Sequence, residues 1–378
     1  MTEILVLPFP GDFDLGRLFA SAPSAEGHLC WFETLARTTL APDEHAVVVV
    51  ALGEGRPRAA LPLVSSRKGL RALTAPYTTI YAPPLPEPEI ARELGLRARE
   101  YVDAALRLDG LDGAGAGVAA FVEGLARCGL TSACYRGVAN WYERVDDFAT
   151  WWQARPSRLR ATVRRKLSAA AKQGATFRCL RGGFDEALAS YEEIHGASWK
   201  KAEPHPRFMA EMVRALGSEG LVRIGVMTAA GRAVAAQVWL VCGRRGTIFK
   251  LAHREDAAGL SPGTLLTHYM AETLIRDDAL EEIDFGRGND AYKREWLARS
   301  RHRIGLIAAD WRKPVGLAAI AAEVVPTRLG SVMRAFRRHR QDNRSASVAA
   351  ASTAELLAKQ ARPKTGIVDP QRGAGVEP

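Results

Sequence analysis

The sequence predicts an α/β protein made of two similar halves, each a mixed twisted sheet flanked by helices. The first observation is an internal repeat, because residues 47–64 and residues 222–251 both consist of β-rich runs joined by glycine-containing turns. The second is the spacing of that repeat, since Gly55-Arg56 and Gly231-Arg232 hold the same place in it and lie 176 positions apart. Matching turns and strands in the same order favour a tandem duplication over chance.

The composition is that of a globular protein with an anionic partner. The chain has 378 residues, enough for two ordinary domains and a tail, and its hydrophobic content of 47% is typical of soluble proteins. A net charge of +10 indicates nucleic acid, a phosphorylated ligand or an acidic membrane surface as partner. Five cysteines without a C-x-x-C pair fit a reducing cytoplasm. Neither a signal peptide nor a membrane span is expected.

In the first half, residues 1–154, the repeated strands are followed by a segment unlike its counterpart. Residues 74–86 contain too many prolines for a central strand or for an anion-binding helix start. Helices are expected over Leu94–Leu108 and Val118–Cys128, followed by a strand over Leu130–Arg136. The first half is therefore expected to be a degenerate scaffold or acceptor-side domain.

The second half, residues 155–325, opens with a basic helix. Residues 155–181 contain nine Lys or Arg and no acidic residue. The pattern predicts a helix over Arg158–Lys172, with Ser157 as N-cap and Gly174 as its stop. One interpretation is a merely solvated charged face, and the other is a binding surface for an anion.

A helix–loop–helix segment follows, over Ser190–Leu216, broken at Glu203-Pro204-His205-Pro206. His195 and His205 are acid–base candidates because histidine titrates near neutral pH, although an isolated histidine is more often structural. The sequence lacks the H-E-x-x-H and C-x-x-C spacings of zinc sites and the G-x-S-x-G nucleophile motif, so no metal is expected.

The stretch from Thr247 to Trp296 carries the candidate chemistry. A strand over Thr247–His253 leads into a Gly-Leu-Ser-Pro-Gly turn and a helix over Thr264–Ile275. Unpaired N–H groups at such a helix start favour a phosphate or pyrophosphate, and the hydroxyls of Ser261 and Thr264 could add donors. The alternative is that the turn is only a helix cap.

The C-terminal region is predicted to be peripheral to this unit. A helix is expected over Val315–Glu323, and Arg328–Arg344 forms a basic amphipathic pattern. That pattern fits either contact with an anionic membrane or an ordinary basic helix. Residues 345–378 have the composition of a disordered tail.

The basic helix, the Leu260–Leu266 turn and the stretch Asp284–Trp296 together carry a family resemblance. Residues 156–311 resemble the acetyltransferase domain of GNAT-fold proteins of the CelD/BcsL cellulose-biosynthesis type, which are related to the FemAB peptidoglycan aminoacyl transferases. The D-F-G strand end followed by Y-K-x-x-W is the most specific element. The resemblance implies tandem GNAT-like domains, which agrees with the repeat.

The resemblance also implies the reaction. An acyl group would pass from acetyl-CoA or another acyl-CoA, or an aminoacyl group from tRNA, to an amine or hydroxyl. The residues matching the CoA pyrophosphate turn are Ser261, Pro262, Gly263, Thr264 and Leu265. Lys293 matches a lysine that stabilises charge on the reacting carbonyl, a role in which a cation is effective. The alternative is that Lys293 only pairs with Asp290 or Glu295.

Acyl transfer to an amine also requires a proton acceptor near neutral pH. Asp284 is the first candidate, because burial at a strand end would raise its pKa, and His253 is the second. The residues expected to contact substrate are Arg287, Asn289, Tyr292, His195 and Trp199.

Three functions remain open from the sequence. The leading one is a cytoplasmic GNAT-type acyltransferase acting on a small-molecule, glycan-precursor or other cell-envelope or exopolysaccharide-related acceptor, peripheral to the inner membrane. The second is a FemAB-like transferase dependent on aminoacyl-tRNA, favoured by the basic residues 155–181. The third is a non-catalytic accessory protein of polysaccharide biosynthesis.

Overall fold

A computed structural model describes residues 2–324 of the chain. Within this part, twelve strands form one continuous sheet, with helices on both faces. The strands are β1 (Thr2–Pro8), β2 (His45–Gly53), β3 (Arg56–Ser66), β4 (Gly69–Ala72), β5 (Ala105–Leu111), β6 (Thr131–Arg144), β7 (Thr176–Leu180), β8 (Val222–Ala229), β9 (Arg232–Cys242), β10 (Arg245–His253), β11 (Glu282–Arg287) and β12 (Arg299–Ala309). The α-helices are α1 (Gly16–Phe19), α2 (Leu29–Thr38), α3 (Pro88–Leu96), α4 (Ala116–Leu125), α5 (Phe148–Gln153), α6 (Ser157–Ala171), α7 (Phe184–Gly196), α8 (Pro206–Ser218), α9 (Pro262–Asp277), α10 (Lys293–Trp296) and α11 (Pro314–Val324).

The order of strands confirms the predicted duplication. It runs β1-β2-β3-β4-β5-β12-β6-β11-β10-β9-β8-β7, so β1 to β5 on one side of the sheet correspond to β7 to β11 on the other. The sixth strand of each half lies in the other half, with β12 between β5 and β6, and β6 between β12 and β11. This exchange places the antiparallel pair β6–β12 at the centre and joins the halves into one sheet.

Aromatic side chains also join the halves, on one face of the sheet. Trp31 of α2 meets Phe208 of α8 edge to face, with ring centroids 5.4 Å apart. Tyr77, which follows β4, stacks on Phe208 at 4.6 Å. Because Trp31 and Phe208 are fully buried, this face holds a single core shared by residues of both halves.

On the opposite face, a separate core lies under α6 and α9. Trp239 of β9, Leu265 of α9 and Trp296 of α10 are buried there. The predicted amphipathic packing of α6 is confirmed, because Leu159 and Val163 are buried in this core while the charged side of the helix faces solvent.

Two sequence expectations need correction, and one strand was not predicted. The helix predicted over Leu94–Leu108 is wrong, because α3 starts earlier, at Pro88, and the chain from Ala105 is taken into the sheet beside β12. Proline suits the first helical turn, and tertiary pairing outweighs the helical propensity of the later residues. Pro156, rather than Ser157, holds the N-cap position of α6. Strand β12 had no counterpart among the predicted elements.

Some expectations lie outside the described residues. These are the basic helix over Arg328–Arg344 and the tail over residues 345–378. Among residues 2–324, no helix is both long enough and apolar enough to cross a bilayer.

Candidate functional site

The candidate site lies where β10 and β11 stop pairing. These parallel strands pair only from Arg245–Glu282 to Thr247–Asp284, and the register of β10 against β9 then shifts between Ile248 and Lys250. Both strands continue beyond the last pair, β10 to His253 and β11 to Arg287. The C-terminal ends of β10 and β11 are therefore not paired with each other, which leaves an opening in the sheet.

The start of α9 lies at this end of β10. Ser261 precedes the helix in the left-handed conformation, with φ 54° and ψ 49°, and Pro262 is the first helical residue. The N–H of Leu265 donates to Ser261 O at 3.1 Å, whereas the N–H groups of Gly263 and Thr264 have no partner in the described part of the chain. The side chain of Leu265 is fully buried and so leaves the turn open. This is the arrangement of an anion-binding helix start.

Gly263 lets the turn approach β10 closely. A Cβ atom at Gly263 would lie 3.2 Å from Cδ2 of His253. The ring of His253 is in turn 4.4 Å from that of Trp199, which is 55% exposed. From α6, Lys166 donates a hydrogen bond to the carbonyl of Gly259 just before the turn. The structure thus brings together the predicted turn, His253 and Trp199, with a lysine of the basic helix beside them.

His195 lies further away and is linked to β10 by a carboxylate. Its Nε2 is 3.5 Å from Glu203 Oε1, and Glu203 accepts both hydrogen bonds of Lys250 Nζ, at 2.7 and 2.9 Å. The ammonium of Lys250 also lies 4.5 Å from the centre of the Tyr77 ring. His195 therefore belongs to an ion-pair cluster on the β10 side of the opening.

Two lysines flank the opening, of which Lys293 is buried and Lys200 is half-buried. Lys293 is 3% exposed, and its Nζ donates to Arg287 O at 2.6 Å and lies 3.4 Å from Asp290 Oδ2. Burial lowers the pKa of Lys293, although Asp290 opposes this. Lys200 donates to Leu251 O, and burial together with the nearby Lys250 lowers its pKa as well. The contact with Asp290 matches the ion-pair alternative for Lys293, while the contact with Glu295 is not made.

The other predicted substrate residues lie around Lys293 with different exposure. The side chain of Arg287 points into solvent, and Asn289 accepts a hydrogen bond from Trp141 Nε1 at 2.9 Å. Tyr292 is 42% exposed, with its ring 6.3 Å from that of Phe285. Arg287 and Tyr292 are thus accessible to a ligand, whereas Asn289 is already engaged.

The expectation for Asp284 was wrong in sign. Burial alone would raise its pKa, but Arg245, Arg301 and Arg303 outweigh burial and lower the pKa to about 2. Arg245 forms an ion pair with this carboxylate, Arg301 lies 2.8 Å from it, and Asn140 donates to it at 2.6 Å. A carboxylate held in this way is a poor proton acceptor at neutral pH.

Sequence inspection missed a second buried carboxylate, Glu26, in the loop before α2. It accepts hydrogen bonds from the backbone N–H groups of Thr79, at 2.6 Å, and Ile80, at 3.2 Å. Burial raises its pKa to about 7, although the Thr79 N–H and Arg245 act in the opposite direction. No motif surrounds Glu26, so only the folded chain reveals its contact with the proline-rich segment.

The first half has no equivalent opening. Its proline-rich segment runs beside β5, where Tyr81 bridges to Leu111 and donates its N–H to Gly110 O at 2.8 Å. The Tyr81 hydroxyl donates to Pro62 O at 2.8 Å, fixing the segment against β3 as well. The proline-rich segment therefore fills the space beside β5 that corresponds to the opening between β10 and β11 in the second half. Within residues 2–324, no three His, Cys, Asp or Glu side chains are placed to hold a metal ion.

Comparisons with known proteins agree with this geometry. Residues 157–294 match the sequence profile of the acetyltransferase (GNAT) domain. No curated protein matches the chain at a significant level.

Solved structures resemble the whole described fold. FemX is 11% identical with a TM-score of 0.57, covering 85% of this chain and 99% of its own. L-PGS from Bacillus licheniformis is 12% identical with a TM-score of 0.52, covering 84% and 97%. A conserved protein of unknown function from Bacteroides thetaiotaomicron is 9% identical with a TM-score of 0.53, covering 80% and 100%. At these identities the likeness concerns the fold: residues 157–294 match the GNAT acetyltransferase domain model, and the described chain is similar in fold to FemX.

Proposed function

We propose that this protein is a GNAT-type acyltransferase that moves an acetyl or other acyl group from acyl-CoA to an amine or hydroxyl of a cell-envelope or exopolysaccharide-related acceptor. The observation that carries the proposal is the opening between β10 and β11, with the free N–H groups of Gly263 and Thr264 at its end. A pyrophosphate would bind these groups, and the thioester would extend into the opening. The resemblance to CelD/BcsL proteins supports the acceptor class.

The chemistry is a displacement at a carbonyl carbon. The acceptor nitrogen or oxygen forms a bond to that carbon, the carbon–sulfur bond breaks, and the thiolate takes up the proton that the acceptor releases. Lys293 is proposed to stabilise the negative charge on the carbonyl oxygen. His253, beside the donor turn, is proposed to take this proton from the acceptor and pass it to the leaving thiolate, since Asp284 is engaged by arginines.

The remaining site residues have assigned roles in this proposal. Ser261, Pro262, Gly263, Thr264 and Leu265 form the donor turn. Arg287 and Tyr292, both exposed at the opening, contact substrate together with Trp199, while Asn289 and His195 orient neighbouring groups. We further propose that residues 1–154 and 155–325 are the duplicated domains, and that the protein works at the cytoplasmic side of the inner membrane.

The test is calorimetric titration with acetyl-CoA, longer acyl-CoAs and CoA, followed by thiol-release assays with amino-sugar and hydroxyl acceptors. Binding of acyl-CoA and of CoA with similar affinity is expected, since both carry the pyrophosphate. Absence of binding at millimolar ligand would contradict the acyl-CoA proposal.

A second candidate function, transfer from aminoacyl-tRNA, is favoured by the exposed side of α6. Its basic residues Arg158, Arg164, Arg165 and Lys172 have no ion-pair partner among the residues that the structure describes. Three of them line a surface groove of about 800 Å³. A polyanion longer than CoA would use such a surface.

Salt dependence separates the two donors. Charged tRNA that neutralises several of these cations should bind with an affinity that falls steeply as salt rises, whereas the triple variant Arg164→Gln, Arg165→Gln, Lys172→Gln should lose most of that slope. The tRNA donor would be excluded if the wild type does not bind tRNA and if the wild type and the triple variant bind acyl-CoA equally tightly.

A further inference from the structure

Two residues of the first half lie across the opening of the second half. Tyr77 contacts Lys250 of β10, and a Cβ atom at Gly286 of β11 would lie 3.5 Å from Thr79 Oγ1. Both Lys250 and Gly286 come after the last pair between these strands, Thr247–Asp284. The short segment from Tyr77 to Thr79 therefore spans the opening from one strand to the other.

The hydroxyl of Thr79 is unpaired within the described chain, and its oxygen is not fully enclosed. Thr79 is 4% exposed, and its Oγ1 has no hydrogen-bond partner among residues 2–324. The neighbouring Thr78 differs, because its Oγ1 accepts the N–H of Ala75 at 3.1 Å and closes a turn within the first half. A hydroxyl that has no protein partner and keeps access to an opening can bind a ligand as hydrogen-bond acceptor or donor.

Glu26 fixes the position of this hydroxyl. Its two carboxylate oxygens each accept one backbone N–H, from Thr79 and from Ile80. A carboxylate that bridges two successive amides holds the backbone in one orientation, and with it the χ1 axis of Thr79. Gly286 completes the contact, because its φ of +60° and missing side chain let the first half approach.

We propose that Thr79 binds the nucleophilic group of the acceptor, with its hydroxyl accepting a hydrogen bond from the acceptor N–H or O–H, and that Glu26 is a positioning residue for Thr79. The inference rests on the proposed acyltransferase function and deepens it, since the half without a donor site supplies an acceptor-binding group to the other half. The hydrogen bond orients the nucleophile's lone pair toward the acyl carbon, and no bond to Thr79 forms or breaks.

The test first compares three variants of the full chain in the thiol-release assay with acetyl-CoA. Thr79→Val, which keeps shape and removes the hydroxyl, should reduce kcat/KM for the acceptor about tenfold, the effect of one lost hydrogen bond. Thr79→Ser should restore activity to within about twofold, and acetyl-CoA affinity should be unchanged in both variants. Thr78→Val is the matched control, because it loses a hydroxyl one position away that faces its own turn.

Glu26→Gln is examined alone and combined with Thr79→Val. A glutamine offers only one oxygen to the two amides, so activity should fall in the single variant. If Glu26 acts through Thr79, adding Glu26→Gln to Thr79→Val should cause little further loss, giving a strongly non-additive cycle. Melting temperatures of all variants identify any that lose activity by unfolding.

The outcomes distinguish this inference from the proposed function. If the wild type is active and Thr79→Val is as active as Thr78→Val, the inference about Thr79 is overturned while the proposed function stands. Additive losses for Glu26→Gln and Thr79→Val would overturn the positioning role of Glu26. A folded wild-type protein that binds no acyl-CoA and transfers no acyl group would overturn the proposed function, and this inference with it.

Discussion

At the scale of single residues, Asp284 and Lys293 show how neighbours decide the state of a buried charge. Both are almost completely removed from solvent. Asp284 is paired with Arg245 and Arg301 and remains a carboxylate, with its pKa lowered to about 2. Lys293 has the carbonyl of Arg287 and one exposed carboxylate, and burial lowers its pKa. An ammonium with few compensating partners is available to a developing negative charge, whereas the Asp284 carboxylate is fully used.

This difference leads to a prediction for Lys293. Lys293→Met should lower kcat at least about a hundredfold with little change in acetyl-CoA affinity, because the ammonium acts on charge that appears in the transition state. Asp290→Asn removes the ion pair at 3.4 Å but leaves the ammonium, so it should cost less than about threefold. Steady-state kinetics decide between the two roles of Lys293. Equal losses in both variants would show that the ion pair, and not oxyanion stabilisation, is what matters.

Glu26 predicts a dependence of stability on pH. Its pKa is raised from 4.5 to about 7, so the folded protein holds the proton more tightly than the unfolded chain does. Its contribution to the free energy of unfolding is therefore complete below pH 4.5, declines as the pH rises to 7, and amounts to about 3 kcal/mol. Asp284 acts in the opposite sense, and its contribution is lost as the pH falls below 3.8.

The measurement is urea unfolding of wild type and Glu26→Gln from pH 4 to pH 8. Glutamine does not titrate, so the difference in free energy of unfolding between the two proteins should change across pH 4.5 to 7 and stay constant above it. Subtraction removes the histidines, which titrate in both proteins. A difference that does not vary with pH would contradict the raised pKa.

At the scale of elements, the start of α9 predicts opposite effects on stability and binding. Thr264→Glu places a negative charge in the first turn, which favours the helix by about 0.5 kcal/mol through the helix dipole. The same charge should repel a pyrophosphate at the free N–H groups of Gly263 and Thr264 and weaken acetyl-CoA binding at least about tenfold. Thr264→Gln, similar in size but neutral, is the control. Equal acetyl-CoA affinities for the two variants by calorimetry would place the donor phosphates elsewhere.

Sequence patterns predicted those elements whose local signals agree with their tertiary environment. The hairpins β2–β3 and β8–β9 carry glycine turns between β-rich runs, and α6 has both a helical period and a glycine stop. Strand β5 was missed because the sequence Ala105–Leu111 is drawn into the sheet by β12, a partner almost 200 residues away in the chain. For a similar reason Glu26, Thr79 and Arg301 could not be found, since each acquires its role only through contacts with another element of the folded chain.

At the scale of the whole molecule, the sheet combines near-symmetry with a division of labour. Each half contributes five strands to its own side and one to the other side. In the first half the proline-rich segment fills the space next to β5, whereas the second half keeps its opening beside β11. One half thus carries the proposed donor turn, and the other supplies a wall of the opening. The exchange of β6 and β12 keeps the two in a fixed register.

That exchange predicts that the halves do not fold independently. In a fragment ending at residue 154, β6 would lose both neighbours, because β11 and β12 belong to the second half; in a fragment starting at residue 155, β12 would lose β5 and β6. Unpaired central strands favour aggregation or unfolding, so each fragment alone should lack a cooperative thermal transition.

Co-expression of the two fragments should restore a cooperative transition, with both fragments in a single complex by size-exclusion chromatography. The full chain cleaved between residues 154 and 155 after folding is the control, and it should stay associated and keep its acetyl-CoA affinity. Cooperative unfolding of either isolated fragment would show that β6 or β12 can fold back beside its own half, and would make the halves separable domains.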